Sequence, residues 1–327
     1  MSKLRVAVLM GGKSGEHEVS LRSAAAVMDA MDKTKYDIVP IKISKEGIWE
    51  KDGKFFNPWD LQVVADYVLP ILHGPNGEDG TVQGLLELLN MPYGGCGVVG
   101  CASTMDKIIA KKLFSAAGLR QAPYIAFTRS QIGSDLLERI DRELEYPIFI
   151  KPANMGSSVG ISKVNDFSAL ETAIELASHY DDRFVAEQGV DCRELETAVL
   201  GNDEIEIGHI GEIVAKDGFY DYEEKYSEES TSGLISPAPV TKEQEDELRA
   251  MAETAYRTAG CCGFARVDFL MDKVSGEIYI NEINAIPGFT KISMYPRLMT
   301  EAGYTYSELI DKIIELGYER YNAKNNR

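Results

Sequence analysis

The sequence predicts an α/β protein of two or three domains, and three stretches support this prediction. Residues 4–10 form an apolar strand that runs into a glycine turn at 11–15 and then into a helix. Residues 67–72 begin the same order again: they form an apolar strand that ends in a polar loop, and a helix follows. Residues 264–284 read as two strands joined by a turn. The chain of 327 residues is long enough for two or three such units.

The composition indicates which binding partners and which cellular compartment fit this protein. A net charge of -18 disfavours a broad contact with nucleic acid or with an anionic bilayer, since both need clustered Lys and Arg. The five cysteines are an odd number without metal-binding spacing, which favours a reducing compartment. The sequence contains no apolar run of membrane-spanning length and does not open on a signal peptide. We therefore expect a cytoplasmic protein with no nucleic-acid or membrane partner.

In the N-terminal part, the first strand and its helix to about residue 32 are followed by strands at 36–43 and 67–72. A helix is predicted at 81–89, capped by Asp79 or Thr81. The glycine turn lacks the GxGxxG spacing of dinucleotide-binding proteins. Ligands gather at the carboxyl ends of parallel strands, where His73 follows the third strand. Whether His73 faces a substrate or is satisfied within its loop stays open.

The central part contains a lysine and a glycine-bearing loop. A capped helix is predicted from Thr104 to Gly118, whose lysines would ordinarily be solvated, and a domain boundary lies just before it. Lys151 ends an apolar strand, and the loop 156–160 follows. Backbone N–H groups of such a loop bind phosphate oxygens, and the lysine adds a positive charge. The alternative is an ordinary turn beside an incidental lysine.

The C-terminal part begins after a short strand at 184–190 that is suited to a hinge. Strands at 193–200 and 204–209 indicate a new sheet. Residues 218–233 lack periodicity and contain Lys225 and Tyr226, which predicts either an active-site lid or a disordered excursion. Amphipathic helices follow at 242–259 and, with a frayed end, at 306–321.

The hairpin at 264–284 has a predicted register. Residues 264–271 and 277–284 are rich in β-branched and aromatic residues, and Gly276 in the turn can adopt positive φ. Pairing about Ser275 places four polar side chains on one face. The facing pairs are Arg266 with Asn284 and Asp268 with Glu282.

Two facing carboxylates repel unless positive charge lies between them. Asp268, Glu282 and Asn284 offer the oxygen ligands that Mg²⁺ prefers, so a metal would remove the repulsion. The alternative is the polar face of an exposed hairpin, which the apolar, turn-rich continuation at 283–290 disfavours.

Taken together, seven segments in register resemble the D-alanine:D-alanine ligases of the ATP-grasp superfamily over nearly the whole chain. These segments are GGKSGEHEVS at 11–20, HGPNGEDGTVQG at 73–84, MDK at 105–107, KP at 151–152 with GSSVG at 156–160, YDYEEKY at 220–226, RVD at 266–268 and NEINAIPGFT at 281–290.

This resemblance implies three α/β domains, with ATP held between the central and C-terminal sheets. The expected divisions are an N-terminal substrate domain at 1–105, a central domain at 106–190, and a C-terminal domain at 191–327 with the lid and the metal site.

The resemblance also implies residue roles. ATP would be bound by Lys107 and Lys151 at its phosphates, by Lys225 of the lid near the γ-phosphate, and by Glu187, Gln188, Val190 and Glu194 at adenine and ribose. Two Mg²⁺ ions, or Mn²⁺ in their place, would be bound by Asp268, Glu282 and Asn284. The substrates and the tetrahedral intermediate would be held by Glu16 linked to Ser157 and Tyr226, by Ser293, and by Arg266 with the Gly288 backbone.

The implied activity is the ATP-dependent joining of two D-alanines through a D-alanyl phosphate, for peptidoglycan precursors, by a homodimer. Within the family, D-serine or D-lactate ligation is the alternative, and Tyr226 at a position where lactate-forming members have histidine favours the dipeptide. An inactive ATP-binding regulator is a third alternative. The sequence departs from the family pattern at Ala285, at 291–292 and at the variable Gln188.

Overall fold

The structure is a computed structural model that describes residues 2–214 and 233–325. The predicted lid, with Lys225 and Tyr226, lies outside the described residues. The strands are β1 Leu4–Gly11, β2 Tyr36–Ile43, β3 Trp49–Lys51, β4 Lys54–Phe55, β5 Tyr67–Pro70, β6 Tyr124–Thr128, β7 Ile148–Pro152, β8 Ser162–Val164, β9 Arg183–Gln188, β10 Cys192–Gly201, β11 Ile205–Val214, β12 Gly233–Ile235, β13 Gly263–Asp272 and β14 Ile278–Asn284.

The α-helices of the described residues alternate with these strands. They are His17–Ala30, Leu61–Val64, Thr81–Leu88, Val98–Met105, Lys107–Ala116, Ser134–Glu143, Leu170–Ala177, Lys242–Thr258, Met294–Glu301 and Tyr306–Asn325. None of them is both long enough and apolar enough to span a bilayer. Sequence analysis had assigned no element to β6 or to the helices at 134–143 and 170–177.

Three sheets confirm the predicted α/β class. The first has the order β4-β3-β2-β1-β5, and β1 is parallel to both β2 and β5. The second has the order β6-β9-β7-β8, and the third has the order β12-β11-β10-β13-β14. Both are antiparallel throughout.

The predicted glycine turn after β1 requires glycine at Gly11. Its φ is +88°, and a Cβ there would lie 2.3 Å from the Ile43 carbonyl oxygen. A side chain at this position would therefore separate β1 from the end of β2, where the chain enters the first helix.

The hairpin of β13 and β14 has the predicted pairing at the end that carries the four facing polar side chains. Arg266 pairs with Asn284 and Asp268 with Glu282. Beyond Asp268 a bulge shifts the register by one, so that Phe269 pairs with Ile280. Bulges increase local twist and re-aim side chains, and sequence patterning alone did not reveal this one.

Three predicted helix ends were wrong. The helix predicted from Thr104 is two helices, and the N-cap of the second is Asp106, whose carboxylate accepts the N–H groups of Ile108 and Ile109 at 3.0 Å. Thr104 belongs to the preceding helix because its hydroxyl donates to the Gly100 carbonyl. The N-cap of the helix at 81–88 is Gly80, although Asp79, one of the two predicted caps, does accept the Thr81 N–H.

The third is the last helix, which continues to Asn325 instead of fraying. It packs against the first sheet, since the hydroxyl of Tyr67 donates to the Ile313 carbonyl and Asp311 accepts from Tyr36 at 2.6 Å. The Arg320 guanidinium lies 4.1 Å from the centre of the Tyr93 ring. One hydrophobic core thus joins the first and third sheets. The domain divisions at 105/106 and 190/191 stay a prediction.

Candidate active site

A cleft lies between the second and third sheets, where the ends of β7, β9 and β14 converge. The predicted ATP-binding residues of the described chain all line it: Lys107, Lys151, Glu187, Gln188, Val190 and Glu194. Two of the predicted metal ligands, Glu282 and Asn284, line it as well. The tertiary structure therefore brings together side chains that are separated by up to 177 positions in the sequence.

At the floor of this cleft, Glu187 binds two lysines. Lys111 Nζ donates to Glu187 Oε1 at 2.8 Å, and Lys151 Nζ donates to Oε2 at 2.7 Å. Burial of Glu187 opposes its ionisation, but the two ammonium groups outweigh burial and lower the pKa of Glu187 to about 2. This ion pair holds Lys151 in place at the end of β7, and its phosphate role stays a prediction.

The loop after β7 approaches the cleft in a strained conformation. Ser157 and Ser158 have φ values of +48° and +61°, a region that residues other than glycine rarely occupy. Lys107 Nζ donates to the Met155 carbonyl at 2.5 Å, which fixes this lysine against the loop. Strain of this kind is found at ligand-binding loops.

A second cavity of about 490 Å³ adjoins the first, a size typical of small-molecule sites. Ser157, Glu282 and Asn284 line both cavities. The predicted substrate residues Glu16, Ser157, Arg266, Gly288 and Ser293 all line the second one.

Glu16 is one of the charged residues that line the second cavity. It is buried, and the Ser157 hydroxyl donates to its Oε1. A Cβ at Gly74 would lie 2.7 Å from Glu16 Oε2, and one at Gly156 would lie 3.0 Å from it. The two glycines therefore leave room for this carboxylate. The predicted third member, Tyr226, lies outside the described residues.

Ser293 lies next to Gly288 in the same cavity. Its Oγ accepts the Thr290 N–H at 3.0 Å and lies 2.8 Å from Thr290 Oγ1. A Cβ at Gly288 would lie 3.1 Å from Ser293 Oγ, so any side chain at 288 would crowd the hydroxyl.

Arg266 and Asp268 form a bidentate pair on the hairpin. Arg266 Nε and Nη2 donate to the two Asp268 oxygens at 2.7 Å each, and Asn284 Nδ2 donates to Oδ2 at 2.8 Å. Arg266 Nε also lies 3.0 Å from Glu196 Oε2. Burial disfavours the cation, but Asp268 and Glu196 together raise the pKa of Arg266 well above its usual range. The carboxylate conflict that sequence reasoning assigned to a metal is therefore already reduced by Arg266.

His73, whose role the sequence left open, is both hydrogen-bonded and a lining residue of the second cavity. His73 is 4% exposed, its Nδ1 donates to the Ile286 carbonyl at 2.9 Å, and its Nε2 lies 3.1 Å from Ser23 Oγ. It also lines the second cavity. The ring of His73 thus contacts residues outside its own loop, and its hydrogen bond to Ile286 holds the chain two residues before Gly288.

Sequence reasoning missed two residues of the site. Lys111 was grouped with solvated lysines but is 3% exposed, and its position one helical turn after Lys107 was the available signal. Glu196 lies opposite Asp268 on the neighbouring strand β10. No local pattern indicates that pairing, because β10 and β13 are far apart in the sequence.

The match to known proteins covers most of the chain. The model described as D-ala D-ala ligase N-terminus matches residues 5–64 and 57–96, and D-ala D-ala ligase C-terminus matches 113–315. The D-alanine--D-alanine ligase of Caldicellulosiruptor bescii is 46% identical over 99% of this chain and 98% of its own length. That of Geobacillus kaustophilus is also 46% identical, over 98% of this chain and 96% of its own.

Solved structures give the same result. The VanG D-Ala:D-Ser ligase from Enterococcus faecalis is 38% identical, with a TM-score of 0.87 over 97% of this chain and all of that one. The D-alanine-D-alanine ligase from Coxiella burnetii is 30% identical, with a TM-score of 0.87 over all of this chain and 97% of that one.

Two antiparallel sheets that enclose a lysine-lined cleft, joined to a mixed sheet in which β1 is parallel to both of its neighbours, define an ATP-grasp ligase. Within that class, the chain belongs to the D-alanine--D-alanine ligase family.

Proposed function

We propose that this enzyme joins two D-alanines to D-alanyl-D-alanine with the conversion of ATP to ADP and phosphate, for peptidoglycan precursor synthesis. The observation that carries the proposal is the junction of the two cavities at Ser157, Glu282 and Asn284. A nucleotide in the first cavity would direct its terminal phosphate towards an amino acid in the second. Family membership supports the same reaction.

A carboxylate is a poor acyl donor, so the first D-alanine needs activation. Transfer of the γ-phosphoryl group of ATP to its carboxylate gives D-alanyl phosphate, and this step depends on positioning and on charge neutralisation. Lys107 and Lys151 are proposed to hold the phosphates, and Lys225 of the lid to approach the γ-phosphate. Adenine and ribose are proposed to lie against residues 187–190 and Glu194, which border the same cleft.

The hairpin fits a divalent cation. In residues 2–214 and 233–325, no three His, Cys, Asp or Glu side chains are grouped as a metal site. Asp268 and Glu282 supply only two carboxylates, and Asn284 adds an amide, so phosphate oxygens would have to complete the coordination, as is usual for Mg²⁺. We propose that these three residues hold two Mg²⁺ ions, or Mn²⁺ in their place. A bound ion would neutralise charge on the phosphates during transfer.

The second D-alanine then attacks the acyl phosphate with its neutral amine. Arg266 and the Gly288 N–H are proposed to stabilise the tetrahedral oxyanion before phosphate leaves. Glu16, supported by Ser157 and Tyr226, would hold the ammonium of the first D-alanine, and Ser293 the carboxylate of the second. Exclusion of water from the acyl phosphate is the proposed purpose of the lid.

The experiment that tests this proposal is a competition assay. The enzyme is incubated with ATP, Mg²⁺, D-alanine and equimolar D-lactate or D-serine near neutral pH, and the products are identified by mass. We expect D-alanyl-D-alanine to predominate, because a neutral Tyr226 does not favour lactate as a charged histidine would. A predominance of D-alanyl-D-lactate would contradict the role of Tyr226, and absence of ADP formation with D-alanine would contradict the ligase function.

D-serine ligation is the second candidate, because a structural neighbour at 38% identity is a D-Ala:D-Ser ligase. One added hydroxyl is only weakly rejected by an apolar pocket, by roughly a hundredfold. The D-serine arm of the same competition distinguishes the two, since a D-Ala:D-Ser ligase would form the mixed dipeptide in excess.

Lys151→Ala is expected to raise the KM for ATP about tenfold to a hundredfold with a small effect on the KM for D-alanine. A charge-assisted contact contributes roughly 1.5–3 kcal/mol, and Lys151 lies in the nucleotide cleft. Steady-state kinetics with each substrate varied in turn measure both constants. The matched control is Lys163→Ala, because Lys163 is exposed on the neighbouring strand β8. An unchanged ATP dependence would contradict the phosphate role of Lys151.

Cytoplasmic location and the homodimer also stay predictions. The predicted location rests on the cysteine pattern, and the predicted partners are the small-molecule substrates ATP and D-alanine, without nucleic-acid or membrane partners. Sedimentation of the purified enzyme measures its oligomeric state.

A further inference from the structure

Glu196 is a buried carboxylate beside the metal-binding hairpin, and the mechanism described above does not use it. It lies on β10, directly opposite Asp268 of β13, and its side chain is only 5% exposed. Burial of a carboxylate is costly unless a cation and hydrogen bonds compensate for it. Arg266 supplies such a cation, since its Nε lies 3.0 Å from Glu196 Oε2.

Arg266 is therefore shared between two carboxylates. It donates twice to Asp268, at 2.7 Å each, and makes its second ion pair with Glu196. Because partners across a ladder share a face and side chains two apart on a strand do too, Glu196, Arg266 and Asp268 all lie on the face of the sheet that borders the second cavity.

Binding of a divalent cation would affect the hydrogen bonds of Asp268 and Glu196 differently. Both oxygens of Asp268 already accept hydrogen bonds from Arg266 or Asn284, so a cation at Asp268 has to compete with the guanidinium. Glu196 is not among the proposed ligands and can keep its ion pair. Glu196 thus remains paired with Arg266 when Asp268 binds the metal. The negative charge of Glu196 also offsets the repulsion between Arg266 and the cation.

We propose that Glu196 is a positioning residue that holds Arg266 at the second cavity when Asp268 binds a divalent cation, and so makes cation binding at Asp268 favourable. The inference rests on the proposed function, because it assigns Glu196 a part in the same site. Without the Glu196 charge, Arg266 would pair more strongly with Asp268 and would compete more effectively with the cation.

The test uses Glu196→Gln, which keeps the shape of the side chain and removes its charge. Binding of Mn²⁺ to the full-length enzyme in the presence of ADP is measured by electron paramagnetic resonance, independently of turnover. We expect the Kd for Mn²⁺ to rise at least about fivefold, since Arg266, without the charge of Glu196, competes more strongly with the cation for Asp268. The Mg²⁺ concentration that gives half-maximal dipeptide formation should rise in parallel.

The matched control is Glu212→Gln. Glu212 is likewise a buried carboxylate paired with an arginine of the same sheet, since it accepts from Arg193 at 2.6 and 2.7 Å. Glu212 pairs with Leu195, the neighbour of Glu196, so its side chain lies on the opposite face. Its loss should lower stability and leave the Kd for Mn²⁺ unchanged.

An unchanged or tighter Mn²⁺ Kd in Glu196→Gln, with the enzyme folded by circular dichroism, would overturn the inference. Glu196→Met gives a second reading if the Gln variant folds poorly, because it removes the charge and the acceptor but keeps the length. The Mn²⁺ measurement does not depend on which amino acids are joined. A wild-type enzyme that makes no dipeptide would contradict the proposed function, whereas the Mn²⁺ data decide the role of Glu196.

Discussion

Glu282→Gln is expected to lower kcat for dipeptide formation by about a thousandfold, because phosphoryl transfer depends on charge placed where the transferred group is neutralised. The free energy of unfolding should change by no more than about 1 kcal/mol. Glu282 is half-buried and faces Asp268 across the hairpin, but its charge also helps to raise the pKa values of Arg266 and Lys151. Loss of this charge therefore removes a repulsion and an attraction that offset each other in the ligand-free protein.

Asp268→Asn removes the other carboxylate of the facing pair and is compared with Glu282→Gln in turnover and stability. Turnover should fall by a similar factor, but stability should fall as well, by about 1.5–3 kcal/mol, since hydrogen bonds to a charged partner are lost. The structural reason is the bidentate pair of Asp268 with Arg266.

Steady-state kinetics at saturating Mg²⁺ and urea unfolding of the two variants measure these differences. Near-normal turnover in either variant would contradict the metal assignment. Equal stability of the two variants would contradict the contribution of the Arg266 pair.

Glu187→Ala is expected to have the largest effect on stability, about 3–5 kcal/mol, because it leaves two buried ammonium groups without their partner. Glu187 is the shared acceptor of Lys111 and Lys151. Adding Lys111→Met should recover part of the loss, since it removes one of the uncompensated charges from an almost fully buried position.

Urea unfolding of the wild type, the two single variants and the double variant measures the coupling between Glu187 and Lys111. Strict additivity of the two single effects would show that the ion pair contributes nothing to folding.

The pH dependence of stability provides an independent measure of the same ion pairs. Against burial, the two lysines lower the pKa of Glu187 from its usual 4.5 to about 2 in the folded protein. A lowered folded-state pKa means that its contribution is complete above the unfolded value and is lost as the pH falls from about 4.5 towards 2. The wild type should lose stability over this window, and Glu187→Ala should lose correspondingly less.

Local sequence determined much of this protein. Alternation of apolar residues with glycine turns fixed the α/β class, and β-branched strands around Gly276 fixed the hairpin and the facing of Asp268 with Glu282. Both depend on residues close together in the chain, where side-chain period and turn geometry decide the pairing. The resemblance of the seven segments added residue roles that local patterns do not contain.

Only the tertiary structure decided which charges share a partner. Lys111 and Glu187 are 76 positions apart and Glu196 and Arg266 are 70 apart, yet each pair is in direct contact. Such contacts depend on how separate elements pack. A helix that packs against the second sheet brings Lys111 to Glu187, and the pairing of β10 with β13 brings Glu196 to Arg266. Sequence pattern reports which face of an element is apolar, whereas a buried ion pair requires the position of a second element, which only the folded chain supplies.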